Sequence, residues 1–352
     1  MIYPEFPGNE SVIGICAPSA GVGAKTESFD LSLEVLRHSG YFVYETDSVR
    51  TEDYPSAPAW VRGIEFNALY ADDDIDMVFC AAGGDYCMEM LPYIDRDLVC
   101  SRPKWFAGYS DPTAIEMYLT TVLDIATIYG VNAGSFDWRP LHEYQFNALS
   151  ILRGDIPVQH SYELYSSMGF DEETGTYVMD APVDWVMLKG NGTYSQPDED
   201  GDVPEPDLEE IHELDVSGRL IGGCIDVIDW IFGSPYEDFA GFMERYADDG
   251  FIWFFDNFEL DPMRLMYAMT RMKQAGLFDN ARAVIFGRTC FTGEATDIDY
   301  LAQLERVFGD MDLPIIWNAD IGHTKPSFTI INGAIGRLTF CRGAATLTQK
   351  LK

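Results

Sequence analysis

Short apolar runs alternate with amphipathic stretches through the first half of the chain. Ser11–Pro18 (SVIGICAP) reads as a strand running into a small-residue turn, and Thr26–Ser39 carries its apolar residues at helical spacing before a stop at Gly40. The same alternation continues with a strand at Tyr41–Thr46, a helix at Ile64–Asp73 and a strand at Ile75–Gly84 that ends in paired glycines. A helix start at Asp85–Ile94, a strand at Lys104–Ser110 and a helix at Asp111–Leu123 follow. Strands and helices in strict alternation predict an α/β fold with a mostly parallel sheet and helices on both faces. Such sheets bind ligands beyond the carboxyl ends of their strands.

The character changes between Gly154 and Gly218. Gln196–Glu210 (QPDEDGDVPEPDLEE) is acidic, carries prolines and has no apolar period, so it reads as a solvated loop. Strand-like runs then return at Arg219–Val227, Phe251–Phe258, Ala281–Arg288, Pro314–Gly322 and Arg337–Gly343, interrupted by one helix at Pro262–Ala275. The expected organisation is therefore an N-terminal α/β domain over 1–153, a linker region with the acidic loop over 154–217, and a strand-rich C-terminal domain over 218–352. There are no internal repeats.

A chain of 352 residues can bury two cores, and 47% apolar residues with a mean hydropathy of -0.08 describe a folded, soluble protein. No stretch approaches the roughly 20 apolar residues of a membrane span. The opening MIYPEFPGNESVIGICAPSA lacks the basic-then-apolar pattern of a signal peptide, so a cytoplasmic location is expected. The net charge of -35 repels phosphate backbones and anionic lipid, which argues against nucleic acid or a membrane as partner. Solubility in an acidic proteome would produce the same excess. The seven cysteines form no CxxC pair and predict no disulfide framework, and none is placed with a histidine as a thiol nucleophile. No HExxH, HxH or cysteine cluster is present, and Asp72–Asp74 reads as a solvated turn, so neither metal nor cofactor is expected.

Candidate chemistry begins at Gly108-Tyr109-Ser110-Asp111, where a strand meets a helix. A serine in that turn projects its hydroxyl above the sheet edge, and the following amide, that of Asp111, faces a developing oxyanion. The same tetrapeptide also suits an ordinary helix N-cap. Gly83-Gly84-Asp85 closes the preceding strand; glycines there let the backbone approach a ligand, so Gly84 is a second candidate oxyanion donor, or simply part of a turn. Of the five histidines, His323 in ADIGHTKP is the one at the end of an apolar strand beside a glycine, a placement that presents an imidazole to a cleft. Asp256, closing FIWFFD, is the candidate carboxylate for that imidazole, with Glu259 in reserve.

In this order the pieces resemble the LD-carboxypeptidase family of serine peptidases, which includes the microcin C immunity branch. The matching segments are IGICAPSA, GGDYCMEMLPYIDRDLVCSRPKWFAGYSDPTAI, GRLIGGCIDVIDWIFGSPY, MTRMKQAGLFDNARAVIFGR and IGHTKPSFTIINGA. The resemblance implies an α/β domain carrying the nucleophile, a strand-rich domain carrying the acid and histidine, and a site in the cleft between them, commonly in a homodimer. It places the nucleophile on Ser110, the histidine on His323, the glycine pair on Gly83-Gly84 and the oxyanion amides on Gly84 and Asp111. It also implies hydrolysis of an amide bond in a small peptide such as a murein tetrapeptide, with no cofactor. Two positions depart from the family pattern. Asp256 stands where the family commonly has the longer glutamate, so the backbone must come closer or Glu259 must serve. Ala82 stands before the glycine pair where LD-carboxypeptidases often carry arginine, and Gly-Gly-Asp is closer to the immunity branch, which cleaves aminoacyl-nucleotide toxins. That branch sets an aromatic ring against the adenine; Trp185 is its candidate here, with core packing the alternative. Gly83, Asp85, Trp185 and Glu259 complete the candidate substrate-contacting set, and a catalytically silent binding protein is the rival of another class.

Overall fold

A computed structural model describes residues 1–171, 176–190, 208–290 and 298–352. Most of the acidic loop, residues 196–207, lies outside the described residues.

The N-terminal half builds the parallel sheet that its alternation predicts. Strands β1 (Val12–Cys16), β2 (Phe42–Glu45), β3 (Ile75–Cys80), β4 (Trp105–Gly108) and β5 (Thr127–Tyr129) lie in the order β2-β1-β3-β4-β5, every pair parallel. Helices α1 (Thr26–His38), α2 (Ala59–Ala71), α3 (Arg96–Ser101) and α4 (Thr113–Met117) make the crossovers. β4 is buried along its whole length, as a strand covered on both faces must be. The helix expected from Asp85 is instead a 3-10 turn, Cys87–Tyr93, because Pro92 lacks the N–H that an α-helix would need there.

The second half folds around a nine-stranded sheet. At its centre Glu213–Cys224, Phe251–Asp256, Ala281–Gly287 and Pro314–Ala319 run parallel. Helices Pro262–Gln274 and Tyr300–Phe308 make two of the connections. Antiparallel strands extend both edges, so this half is strand-rich with an α/β centre. The strand expected over Arg219–Val227 stops at Cys224, and a buried helix, Ile225–Ile231, begins. Seven residues make barely two turns, too short a run for the sequence to separate it from a strand.

The residues expected to form a linker are part of this sheet. Gln159–His160, Val186–Gly190 and Leu208–Glu210 all pair within it, so the end of the acidic segment is a strand and not a loop. In return, Ile330–Asn332 leaves the second half and adds antiparallel to β5 in the first sheet. The segment between 153 and 218 thus joins the second sheet, and the second half lends one strand to the first. The cores interlock as well. Ile13, Phe79 and Tyr129 pack in one cluster with Ile252, Phe254 and Ile316, and Phe106 and Ile115 pack in another with Trp253 and Phe255.

α4 carries one residue that its surroundings do not favour. Glu116 is fully buried and neither carboxyl oxygen has a hydrogen-bond partner, so burial pushes its carboxyl well above the usual range and it stays protonated. The folded chain holds that proton while the unfolded chain releases it above the ordinary glutamate range, so stability falls as pH rises. Glu116→Leu should stabilise the fold more at about pH 8 than at about pH 5. Urea unfolding at the two pH values checks this; an equal effect at both would show that the carboxyl is not protonated in the fold.

Candidate active site

Two residues beyond β4 the chain turns sharply, and Ser110 sits at the corner with φ 71°, a left-handed conformation unusual for a residue with a side chain. The strain is of order 1–2 kcal/mol. Its surroundings hold it there. The Thr113 N–H donates to the Ser110 carbonyl at 3.0 Å, and the Tyr109 N–H donates to Asn132 Oδ1 at 3.1 Å. A Cβ on Gly83 would lie 3.0 Å from Ser110 Cβ and 3.1 Å from its Oγ, so only glycine lets the two turns stand this close. Gly84 has φ 139°, and a side chain there would collide with Ser19.

Asp111 ties these turns together. Its buried carboxylate accepts the Cys87 N–H at 2.8 Å. Burial pushes its carboxyl up, while hydrogen bonds from Ser19, Cys87 and Tyr86 oppose the shift. The N–H groups of Gly84 and Asp111 donate to no other described residue. Asp85 is exposed and accepts the Tyr54 hydroxyl.

The second sheet brings the other groups to this turn. His323, four residues beyond Pro314–Ala319, places Nε2 3.0 Å from Ser110 Oγ. Its Nδ1 lies 2.7 Å from Asp256 Oδ2, in a contact bent away from a straight hydrogen bond. Asp256 ends Phe251–Asp256 and is wholly buried. Its Oδ2 accepts the Tyr129 hydroxyl at 2.6 Å, and its Oδ1 accepts the His323 N–H at 3.3 Å. Burial raises the Asp256 carboxyl, but the His323 charge, hydrogen bonds from His323 and Tyr129, and the Lys325 charge outweigh it and leave it below the usual carboxylate range.

The shorter acid is met by backbone approach. Gly322 has φ 94°, and a Cβ there would lie 2.0 Å from Asp256 Oδ1. Glu259, the reserve carboxylate, is not brought to the imidazole. It is exposed, in a loop whose N–H groups at Phe258 and Glu259 donate to Asp226, each at 3.0 Å. The remaining histidines are engaged elsewhere: His38 with the Glu34 carbonyl, His142 as the cap of helix α5 (Glu143–Leu152), His160 in an edge strand and His212 beside Glu210.

Aromatic rings wall the site. The imidazole lies between Phe258, at 4.5 Å between centroids, and Tyr109, at 5.1 Å. Phe258 is 45% exposed, so it forms an apolar lip over the imidazole. Trp185 is half-buried and packs on Phe328 at 5.8 Å, within a run of rings that continues through Tyr162, His142 and Trp138. Among the described residues no hydrogen bond or ring contact joins Trp185 to Ser110, Asp256 or His323.

Sequence reasoning missed Tyr129, Asn132, Phe258 and Lys325. Tyr129 ends a three-residue strand, and its reach to Asp256 comes from the meeting of the two sheets. Lys325 had a signal, a cation inside GHTKP next to the histidine. Among the described residues no three His, Cys, Asp or Glu groups are arranged to hold a metal, and no helix is long and apolar enough to cross a membrane.

Comparison with known proteins gives the family. The LD-carboxypeptidase N-terminal domain matches residues 13–130, and the LD-carboxypeptidase C-terminal domain matches residues 217–338. A Vibrio cholerae protein with a carboxypeptidase name is 25% identical over 347 residues, 97% of this chain and 96% of its own length. The microcin C7 self-immunity protein MccF of Escherichia coli is 23% identical over 339 residues, 94% of this chain and 90% of its own. A solved structure of MccF in complex with aspartyl sulfamoyl adenosine has the same fold, with TM-score 0.76 at 20% identity over 99% of both chains. The muramoyltetrapeptide carboxypeptidase from Oxalobacter formigenes has TM-score 0.67 at 20% identity, over 97% of this chain and 99% of its own. With both halves matched in order by the two domains of one family, the chain belongs to the LD-carboxypeptidase family.

Proposed function

We propose that this protein is a serine hydrolase that cleaves an amide bond in a small peptide of the murein tetrapeptide kind, with Ser110 as nucleophile, His323 as base and Asp256 as the orienting acid. The observation that carries the reading is the imidazole held between the two partners, 3.0 Å from Ser110 Oγ and 2.7 Å from Asp256 Oδ2. His323 takes the serine proton through Nε2 as the hydroxyl adds to the carbonyl. Asp256 stabilises the imidazolium from the Nδ1 side. The backbone N–H groups of Gly84 and Asp111 serve as oxyanion donors, each contributing about 3 kcal/mol in the transition state. His323 then protonates the leaving amine, and a water activated by the same imidazole releases the acyl group.

A second reading has the same chemistry on an aminoacyl-nucleotide. It is favoured by the fold shared with MccF, whose solved complex holds aspartyl sulfamoyl adenosine, and by Ala82 before the glycine pair. The silent-binder alternative rests on the short Asp256, and the 2.7 Å approach of Asp256 Oδ2 to His323 Nδ1 supports the catalytic reading over it. A reducing, cytoplasmic setting belongs to this reading and fits seven free cysteines. So does the homodimer that the family resemblance implies.

Ser110→Ala should abolish turnover with the fold intact by circular dichroism; wild-type rates in that variant would end the mechanism. Assaying a murein tetrapeptide beside an aminoacyl sulfamoyl adenosine decides the substrate, since only one is expected to be cleaved. Asp256→Asn should lower kcat/KM by about 10³–10⁴, whereas Glu259→Gln should stay within about twofold of wild type. The reverse pattern would make Glu259 the acid.

A further inference from the structure

Arg288 stands in the sheet between the acid and the base. It follows Ala281–Gly287, the strand that lies between the one ending in Asp256 and the one leading to His323. The turn it opens is bonded to both neighbours. The Arg288 N–H donates to the Ala319 carbonyl at 3.3 Å, and the Cys290 N–H donates at 3.2 Å to the carbonyl of Asn257, next to Asp256. The guanidinium then reaches the neck of the histidine loop, where Nη1 donates to Asp320 Oδ1 at 2.5 Å. Asp320 Oδ2 accepts the Tyr162 N–H at 3.0 Å, and the Asp320 carbonyl accepts the Phe328 N–H at 2.7 Å, which draws the two ends of the loop together. Within the loop, the Lys325 carbonyl accepts the Ser166 N–H at 2.9 Å, and Tyr165, one residue before Ser166, sets its ring 4.3 Å from the guanidinium.

This pair is poorly arranged for stability alone. Arg288 is 4% exposed and Asp320 is wholly buried, yet Arg288 Nε and Nη2 have no hydrogen-bond partner. Asp184, which is exposed, lies 3.5 Å from Nε. The desolvation of two buried charges commonly outweighs their attraction when donors are left over, and replacing both by neutral groups then leaves stability unchanged or higher. Removing one partner is different, because it strands the other. Burial already pushes the Asp320 carboxyl up, and the Arg288 charge is the largest influence holding it down. What the pair does supply is direction: a planar guanidinium backed by a ring and bonded to the loop neck has few orientations open to it.

We propose that Arg288 and Asp320 are positioning residues of the hydrolytic site: the buried pair sets the neck of the histidine loop against the strand that ends in Asp256, and so sets the reach of His323 Nε2 to Ser110. The inference rests on Ser110 and His323 acting as proposed above. Asp320 is three residues before His323, so a shift at the neck is carried to the imidazole through a short length of backbone. A displacement of about 1 Å there lengthens the 3.0 Å approach of Nε2 to Oγ beyond a hydrogen bond, and misplacement of that size costs up to about a hundredfold in rate.

The test pairs Tm with the second-order rate of Ser110 labelling by a small alkyl fluorophosphonate, in wild type, Arg288→Met and the double variant Arg288→Met with Asp320→Asn. The reagent reads the serine and its base without using contacts to a peptide. Asparagine removes the charge and keeps an acceptor for the Tyr162 N–H. Arg288→Met should lose several degrees in Tm and label about 10- to 100-fold more slowly. The double variant should regain a Tm within about 2 °C of wild type or above it, yet remain at least about tenfold slow. Stability and reactivity then separate, which a pair that only holds the fold together would not allow. Should Arg288→Met fail to fold, the double variant carries the test. A double variant that labels within about twofold of wild type would overturn the inference and leave the nucleophile standing. So would one whose Tm stays several degrees below wild type, since the pair would then be needed for stability. Wild-type labelling with slower hydrolysis of a murein tetrapeptide would make Arg288 a substrate contact and overturn the positioning role. Absence of labelling in wild type would overturn the nucleophile and the inference together.

Discussion

The structure depends on one buried carboxylate held from two sheets at once. Asp256 ends a strand of the second sheet, but the hydroxyl that fixes it, Tyr129, ends β5 of the first. The imidazole it orients reaches back to Ser110 at the end of β4. A charge buried this deeply is tolerable only with several hydrogen bonds and a cation nearby. Tyr129, the His323 N–H and Lys325 meet that need, and together they draw on both halves. The halves cannot drift apart without stranding the carboxylate. Strand exchange works to the same end, since Ile330–Asn332, just beyond the His323 loop, is bonded into the first sheet beside Tyr129.

This interdependence explains what the sequence could and could not reveal. The alternation in the first half is a local pattern, and local patterns survive in the chain: β1, β3 and β4 stand where their apolar runs lie. The turn at Ser110 and the strand end before His323 are short-range signals, but the roles given to the two residues came from the family resemblance. The pairing of the segment between 153 and 218 was not legible, because Gln159–His160 and Leu208–Glu210 are strands only through pairing with distant residues. Two or three residues of mixed polarity carry no period of their own. Tyr129 was missed for the same reason. Its role is fixed by a partner 127 residues away in the chain.

The choice between Asp256 and Glu259 shows where sequence reasoning stops and geometry begins. Both carboxylates stand at the end of one apolar strand within three residues, and the sequence prefers Asp256 only because it closes the run. The separation lies in what surrounds each. Asp256 is sealed under the Gly322 turn, whose missing side chain is what allows a carboxylate one methylene short to reach the imidazole. Glu259 sits past the strand end in a loop anchored through its backbone to Asp226, with its side chain in solvent.

An aspartate in this place therefore requires a glycine at 322 and a donor at 129, and a change at any one of the three bears on the other two. A glutamate would add a methylene to a space in which Asp256 Oδ1 already lies 2.0 Å from where a Cβ on residue 322 would stand. Lengthening the acid would push the loop outward, and with it the Lys325 ammonium that bonds the Gly322 carbonyl. The acid, the glycine, the tyrosine and the lysine form one packing solution. That is why the departure at 256, which looks like a weakness when the sequence is read alone, is compatible with a site whose imidazole stands within hydrogen-bonding reach of its serine.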